Sequence, residues 1–144
     1  LLEFFIKDDT LFLLVVIYEM KMTGKIEVNN GLRVKVDLDF CRYYMWLATK
    51  YHYNTQKYQL PMHGAHISIY LPHIHGKIDL TPYKKLHGSL VDFDYDLNNI
   101  VITKKNVWIP VKSSAAYEIK KSMGITDKNF LGFHLTVCNT KFDN

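Results

Sequence analysis

This chain predicts an α+β fold, antiparallel sheets with helices packed outside, and three observations carry that expectation. Two stretches, Gly64-Ala65-His66-Ile67-Ser68-Ile69 and Gly132-Phe133-His134-Leu135-Thr136-Val137, share one pattern: glycine, any residue, histidine, aliphatic, hydroxyl, aliphatic. Alternation of that kind is the period of a strand, whose successive side chains point to opposite faces. Asn29-Asn30-Gly31 is a turn signal between Lys25–Val28 and Leu32–Leu38, the second of which alternates cleanly, so a hairpin is expected. From Cys41 to about Tyr53 the period lengthens, and Tyr44, Leu47, Ala48 and Tyr51 fall at helical spacing.

The remaining elements follow in order. The apolar run Leu11–Tyr18 reads either as a buried strand or as part of an extension over residues 1–21, with the domain proper at 22–144. Leu32, Val34, Val36 and Leu38 take one face of their strand, and Arg33, Lys35, Asp37 and Asp39 the other. Asp39 is the expected cap of the following helix. The first histidine strand runs from about Gly64 to Leu71 and stops at Pro72. Thr81-Pro82 opens a short helix through Leu86, with proline at its first position. Strands are expected over Ser89–Tyr95, Ile100–Thr103 and Val107–Val111, the first two joined by an Asn98-Asn99 turn. Ser113 or Ser114 caps a helix through Ser122 that Gly124 closes. The second histidine strand, about Leu131 to Cys138, comes last.

The 144 residues suit one domain with a real core. A net charge of +4 favours small anionic ligands and falls well short of the footprint of a duplex-DNA binder. Ten tyrosines and two tryptophans are generous; aromatic rings build cores or stack on bases. Cys41 and Cys138 are too few and too distant in sequence for a disulfide framework, which points to a reduced, cytoplasmic setting. The Leu11–Tyr18 run is much shorter than the ~20 residues of a membrane helix, so no membrane partner is expected.

Within each histidine strand the aliphatic side chains face a core, which leaves His66 and Ser68, and likewise His134 and Thr136, on the open face. Two imidazoles near their working pH divide the labour of phosphodiester cleavage. The neutral one takes a proton from the attacking oxygen, and the charged one gives a proton to the leaving oxygen. Hydroxyls beside them donate to the non-bridging oxygens, where charge grows. Such a site needs no metal and no cofactor. The bland alternative is a pair of ordinary strand histidines, against which the doubled context stands.

With His66-Ile67-Ser68-Ile69 and His134-Leu135-Thr136-Val137 the chain resembles the two-histidine (2H) phosphoesterase superfamily, over about Leu32 to Cys138. The first motif carries serine where threonine is commoner in that superfamily, which keeps the hydroxyl and lets it rotate more freely. The resemblance implies a bilobal molecule, two small antiparallel sheets forming a concave cleft. It implies that His66 and His134 are the acid–base pair and that Ser68 and Thr136 hold the phosphate. The compact chain and the Gly-Ala-His-Ile-Ser wording look most like the phage anti-CBASS phosphodiesterases, which destroy cyclic di- and trinucleotide messengers of bacterial immunity in the host cytoplasm.

Other residues are candidates for substrate contact. Tyr43, Tyr44, Trp46 and Trp108 are able to clamp purine rings, although helical spacing assigns most of Cys41–Tyr53 to core. Tyr70 continues the His66–Ser68 face, and Lys35 and Arg33 lie on the polar face of a strand that borders a cleft or meets solvent. His63, His73 and His75 invite a metal reading, but no carboxylate or cysteine stands near them at ligand spacing, and Pro72 suggests a loop. Gly64 and Gly132 serve either a turn or the close approach of a ligand. The expected function is hydrolysis of cyclic di- or trinucleotides without a metal. The rivals are a 2′,3′-cyclic phosphodiesterase of RNA ends and a nucleotide-binding sponge that cuts nothing.

Overall fold

The computed structural model describes residues 3–7, 10–14, 20–51, 57–125 and 132–141. β1 (Glu3–Lys7) and β2 (Thr10–Leu14) pair with each other in a separate two-stranded sheet. Eight further strands form one antiparallel sheet: β3 (Met20–Val28), β4 (Leu32–Lys35), β5 (Tyr58–Gln59), β6 (His66–Tyr70), β7 (Leu90–Tyr95), β8 (Val101–Ile102), β9 (Asn106–Lys112) and β10 (Phe133–Thr140).

Six of these strands close on themselves. β10 bonds to β6, β6 to β4, β4 to β3, β3 to β7, β7 to β9, and β9 returns to β10. The bilobal α+β arrangement with two open sheets and a concave cleft is therefore incorrect: this is a closed, mostly β barrel with two extra strands and few helices. Closure has identifiable causes. β3 is nine residues long and serves two partners, Met20 to Lys25 facing β7 and Lys25 to Val28 facing β4. β10 has a register irregularity between Thr136 and Cys138, where it stays on β9 while its other edge passes from β6 to β5. A ring leaves few unpaired edges, the usual liability of an open sheet. Alternation dictates which face of a strand is buried but not which strand lies beside it.

The buried face is continuous around the ring. Ile26, Val34, Ile67, Ile69, Phe93, Ile109, Val111, Leu135 and Val137 are almost wholly enclosed. Each such side chain contributes about 1.5–3 kcal/mol of transfer free energy relative to exposure. α1 (Leu38–Tyr51) covers this core with Cys41, Tyr44 and Ala48, three residues on one helical face. Its start is fixed by Asp37, whose Oδ1 accepts from the Asp39 amide at 2.9 Å. Asp39 itself is in the first turn, paired with Arg42 at 2.7 Å, so the cap is two residues earlier than expected. α2 (Pro72–His75) is a single turn. Thr81–Leu86 is a 3-10 helix, with Asp79 Oδ1 accepting from the Thr81 amide. α3 (Ser114–Ser122) is capped by Ser113, whose Oγ accepts from the Ala116 amide, and it touches both β6 and β7.

Candidate functional site

β6 and β10 are neighbours in the ring, with Leu135 paired to Ile67. Both of those side chains are fully buried. Antiparallel register then sets Thr136 across from His66 and His134 across from Ser68, on the face turned away from the core. Each histidine faces the hydroxyl of the other motif, and the two imidazoles form a diagonal pair. Diagonal positions on adjacent antiparallel strands lie about 7–8 Å apart.

The flanking strands extend this face into two rows. β4 sets Lys35 beside His66 and Arg33 beside Ser68. β9 sets Trp108 beside Thr136 and Pro110 beside His134. One row thus runs Lys35, His66, Thr136, Trp108, and the other Arg33, Ser68, His134, Pro110. Arg33 is already engaged: it pairs with Glu27 at 3.1 Å and its Nη1 donates to the His63 carbonyl. Lys35 is exposed.

The two histidines have different surroundings. His66 is half-buried, and its Nδ1 lies 3.0 Å from the Gly64 carbonyl oxygen. A carbonyl only accepts, so Nδ1 carries the proton and Nε2 is the basic nitrogen of the neutral ring. Gly64 has φ of +78°, a conformation other residues rarely adopt, and the motif's second glycine, Gly132, has φ of +121°. The backbone conformation explains both glycines without a ligand. His134 is exposed, with its ring edge-on to Trp108 at 5.7 Å between centroids. Desolvation, then the His66 imidazole, then the Lys120 ammonium hold His134 below the ordinary histidine value. The influence of His66 on His134 follows from the adjacency that the register sets.

Several candidates stand elsewhere. Tyr70 is buried rather than on the site's face, and its hydroxyl donates to the Gly76 carbonyl at 2.6 Å and accepts from the Ile78 amide at 2.9 Å. Tyr44 is buried against Phe40, and burial raises its phenol above the ordinary range, with Tyr95 and Tyr43 adding to the effect. Tyr43 is on the exposed side of α1, stacked with Trp46 and edge-on to Tyr44. His75 accepts from the Leu71 amide through Nδ1 and stacks on Tyr70, which is a structural role. Among the described residues no group of three or more His, Cys, Asp and Glu side chains is placed to hold a metal ion. Cys41 and Cys138 are buried, and desolvation pushes their thiols up to about 11 and about 12, which removes them as nucleophiles.

Lys120 is the residue that sequence reasoning missed. It is almost fully buried on α3, with its ammonium 5.5 Å from the centroid of the Phe133 ring, next in sequence to His134. Its spacing of four from buried Ala116 was the available signal.

A surface hollow at the Asn29–Gly31 turn, lined by Glu27, Arg33, Tyr70 and Pro72, borders one row at Arg33, and a second, lined by Lys35 and Asp37, borders the other. The histidines themselves stand on an open surface between these ends. No protein-family model, curated protein or solved structure matches the chain. Among the described residues no helix is long and apolar enough to cross a membrane.

Proposed function

We propose that this protein is a metal-independent phosphodiesterase of the two-histidine kind, acting on a small nucleotide, with a cyclic di- or trinucleotide messenger as the substrate of first choice. The observation that carries this reading is the Leu135–Ile67 pairing, which sets the two His-x-hydroxyl motifs side by side on adjacent strands. Fold and activity are separable, so the closed barrel leaves the argument on the site itself.

In the proposed reaction a phosphodiester sits over the His66–His134 diagonal. The neutral imidazole removes a proton from water as the water oxygen bonds to phosphorus. The charged imidazole gives its proton to the leaving oxygen as the opposite P–O bond breaks. Ser68 and Thr136 donate hydrogen bonds to the non-bridging oxygens. Lys35, at the end of one row, offsets phosphate charge, and Trp108, at the other end, offers a ring for a base to stack on. The two imidazoles end with their protonation exchanged and are reset through solvent.

The test is product analysis after incubation in EDTA with a panel of cyclic di- and trinucleotides and an RNA bearing a 2′,3′-cyclic phosphate end. Linear products from the cyclic messengers, absent with His66→Ala and His134→Ala, support the reading. Turnover of the RNA end alone moves the substrate to RNA repair chemistry. Tight binding without product in any lane makes the protein a sponge and overturns catalysis.

A further inference from the structure

Among the described residues, side chains of fixed charge that face each other across paired strands are opposite in sign, with one exception. Lys21 and Lys112 both face Asp94, and Arg33 faces Glu27 and pairs with it. Lys25 of β3, however, faces Lys35 of β4, and on its other side it meets Leu90. Like charges directly opposite each other destabilise a sheet. The exception lies on the histidine row. β6 sets His66 on the far side of Lys35, so Lys25, Lys35 and His66 are three basic positions in succession. Both lysines are exposed, and among the described residues neither forms an ion pair. The carboxylates around them are engaged elsewhere. Asp37 Oδ1 accepts from the Asp39 amide, Asp92 Oδ1 accepts from the Thr23 hydroxyl at 2.6 Å, and Glu27 holds Arg33 and Asn29. Lys25, Lys35 and Asp37 line one hollow with Thr23 and Leu90, two ammonium groups against one carboxylate, so the hollow keeps a net positive charge.

We infer that Lys25 and Lys35 form a second phosphate subsite at the end of the histidine row, so that the ligand of this face is an oligonucleotide with at least two phosphates. Neighbouring strands lie about 4.8 Å apart, which puts Lys35 about 5 Å and Lys25 about 10 Å along the row from His66. A substrate whose scissile phosphate sits over His66 and Thr136 has its next phosphate over the lysines. Trp108, at the opposite end of the row, then meets a base. One lysine is enough to offset charge on the reacting phosphate; the second, a full strand farther out, serves a group farther along the ligand. A phosphate held by both ammonium groups also offsets the like-charge contact that the free sheet bears. The words substrate and scissile rest on the phosphodiesterase reading; phosphate binding by the two lysines does not.

The test is isothermal titration calorimetry on the full chain, comparing wild type, Lys25→Gln, Lys35→Gln and Lys21→Gln. Cyclic diadenylate and 5′-phosphorylated linear diadenylate are the two-phosphate probes, and 3′,5′-cyclic adenosine monophosphate is the one-phosphate probe. Wild type prefers a two-phosphate probe, and the one it takes tells a cyclic messenger from a linear strand. Lys25→Gln weakens that probe about tenfold, the low end of a charge-assisted hydrogen bond, and Lys35→Gln does the same. Lys21→Gln removes an equal charge from the same strand, opposite Asp94, and changes affinity little. The urea midpoint of Lys25→Gln equals or exceeds that of wild type, because the like-charge contact is relieved, which separates lost binding from lost fold. Equal affinity of wild type for all three probes, or binding of none, overturns the subsite. So does a loss in Lys21→Gln as large as that in Lys25→Gln, the mark of a general charge effect. If wild type cleaves no phosphodiester while the Lys25-dependent preference persists, catalysis falls and the subsite stands. Cleavage with a preference unaltered in Lys25→Gln sinks the subsite alone.

Discussion

β6 and β10 carry the same six-residue pattern and lie side by side, yet they hold their histidines in different ways. On β6 the ring of His66 is half-buried and anchored through Nδ1 to the Gly64 carbonyl, two residues back in its own chain. On β10 the ring of His134 is exposed, edge-on to Trp108 from β9 and under the influence of Lys120 from α3. Local backbone fixes the first; neighbouring elements fix the second. A repeated motif thus supplies two chemically unlike imidazoles, which a reaction with one proton donor and one acceptor requires.

The largest effect should come from removing either ring. His66→Ala and His134→Ala should each lower kcat by about 10²–10⁴-fold, the usual contribution of a positioned acid or base. The double variant should be little worse than either single, because the two act as a unit. Steady-state kinetics on the best substrate of the panel would check this, and losses that multiply in the double variant would show independent roles. The next effect belongs to the hydroxyls. Ser68→Ala and Thr136→Val should each cost about 10²-fold, in kcat more than KM, because they donate to charge that develops in the transition state. Equal loss of binding and rate would make them ground-state contacts.

Tyr70→Phe sharpens the contrast between site and scaffold. Its hydroxyl bonds to the Gly76 carbonyl and the Ile78 amide. Losing it should cost about 1–3 kcal/mol of stability, read from urea unfolding, and leave kcat/KM unchanged. A selective loss of activity would return Tyr70 to the substrate.

These cases show what the sequence contained. The alternation of His66 with Ile67 and of His134 with Leu135 is a local property, so the open face of each strand was legible. Their adjacency was not, because strand pairing is a tertiary choice among many compatible registers. The closed ring was illegible for the same reason, since it depends on β3 splitting between β4 and β7 and on the β10 irregularity after Thr136. Tyr70 misled because period two extends its strand's open face by one residue too many. The backbone groups of 76 and 78 capture the phenol, and the ring turns under the chain. Lys120 was harder to see: beside exposed Lys121, only its spacing of four from buried Ala116 distinguishes it from a solvated lysine.

The smallest effect is a pH dependence of stability, and it also separates the two histidines. Desolvation, His66 and Lys120 hold His134 below the ordinary value in the native state, whereas the unfolded chain titrates near the reference of about 6.5. On acidification the unfolded chain therefore takes up a proton before the native one does. The stability linked to neutral His134 is fully present above that reference and is lost as pH falls through the lower native value. Urea midpoints measured at intervals from pH 8 to pH 5 should fall for wild type, and His134→Gln should flatten the fall. His66→Gln should flatten it less, by removing one of the three influences on His134 while keeping desolvation and Lys120. An unaltered slope in His134→Gln would mean that the exposed ring is solvated as in the unfolded chain, and the asymmetry between β6 and β10 would then reduce to the Gly64 hydrogen bond alone.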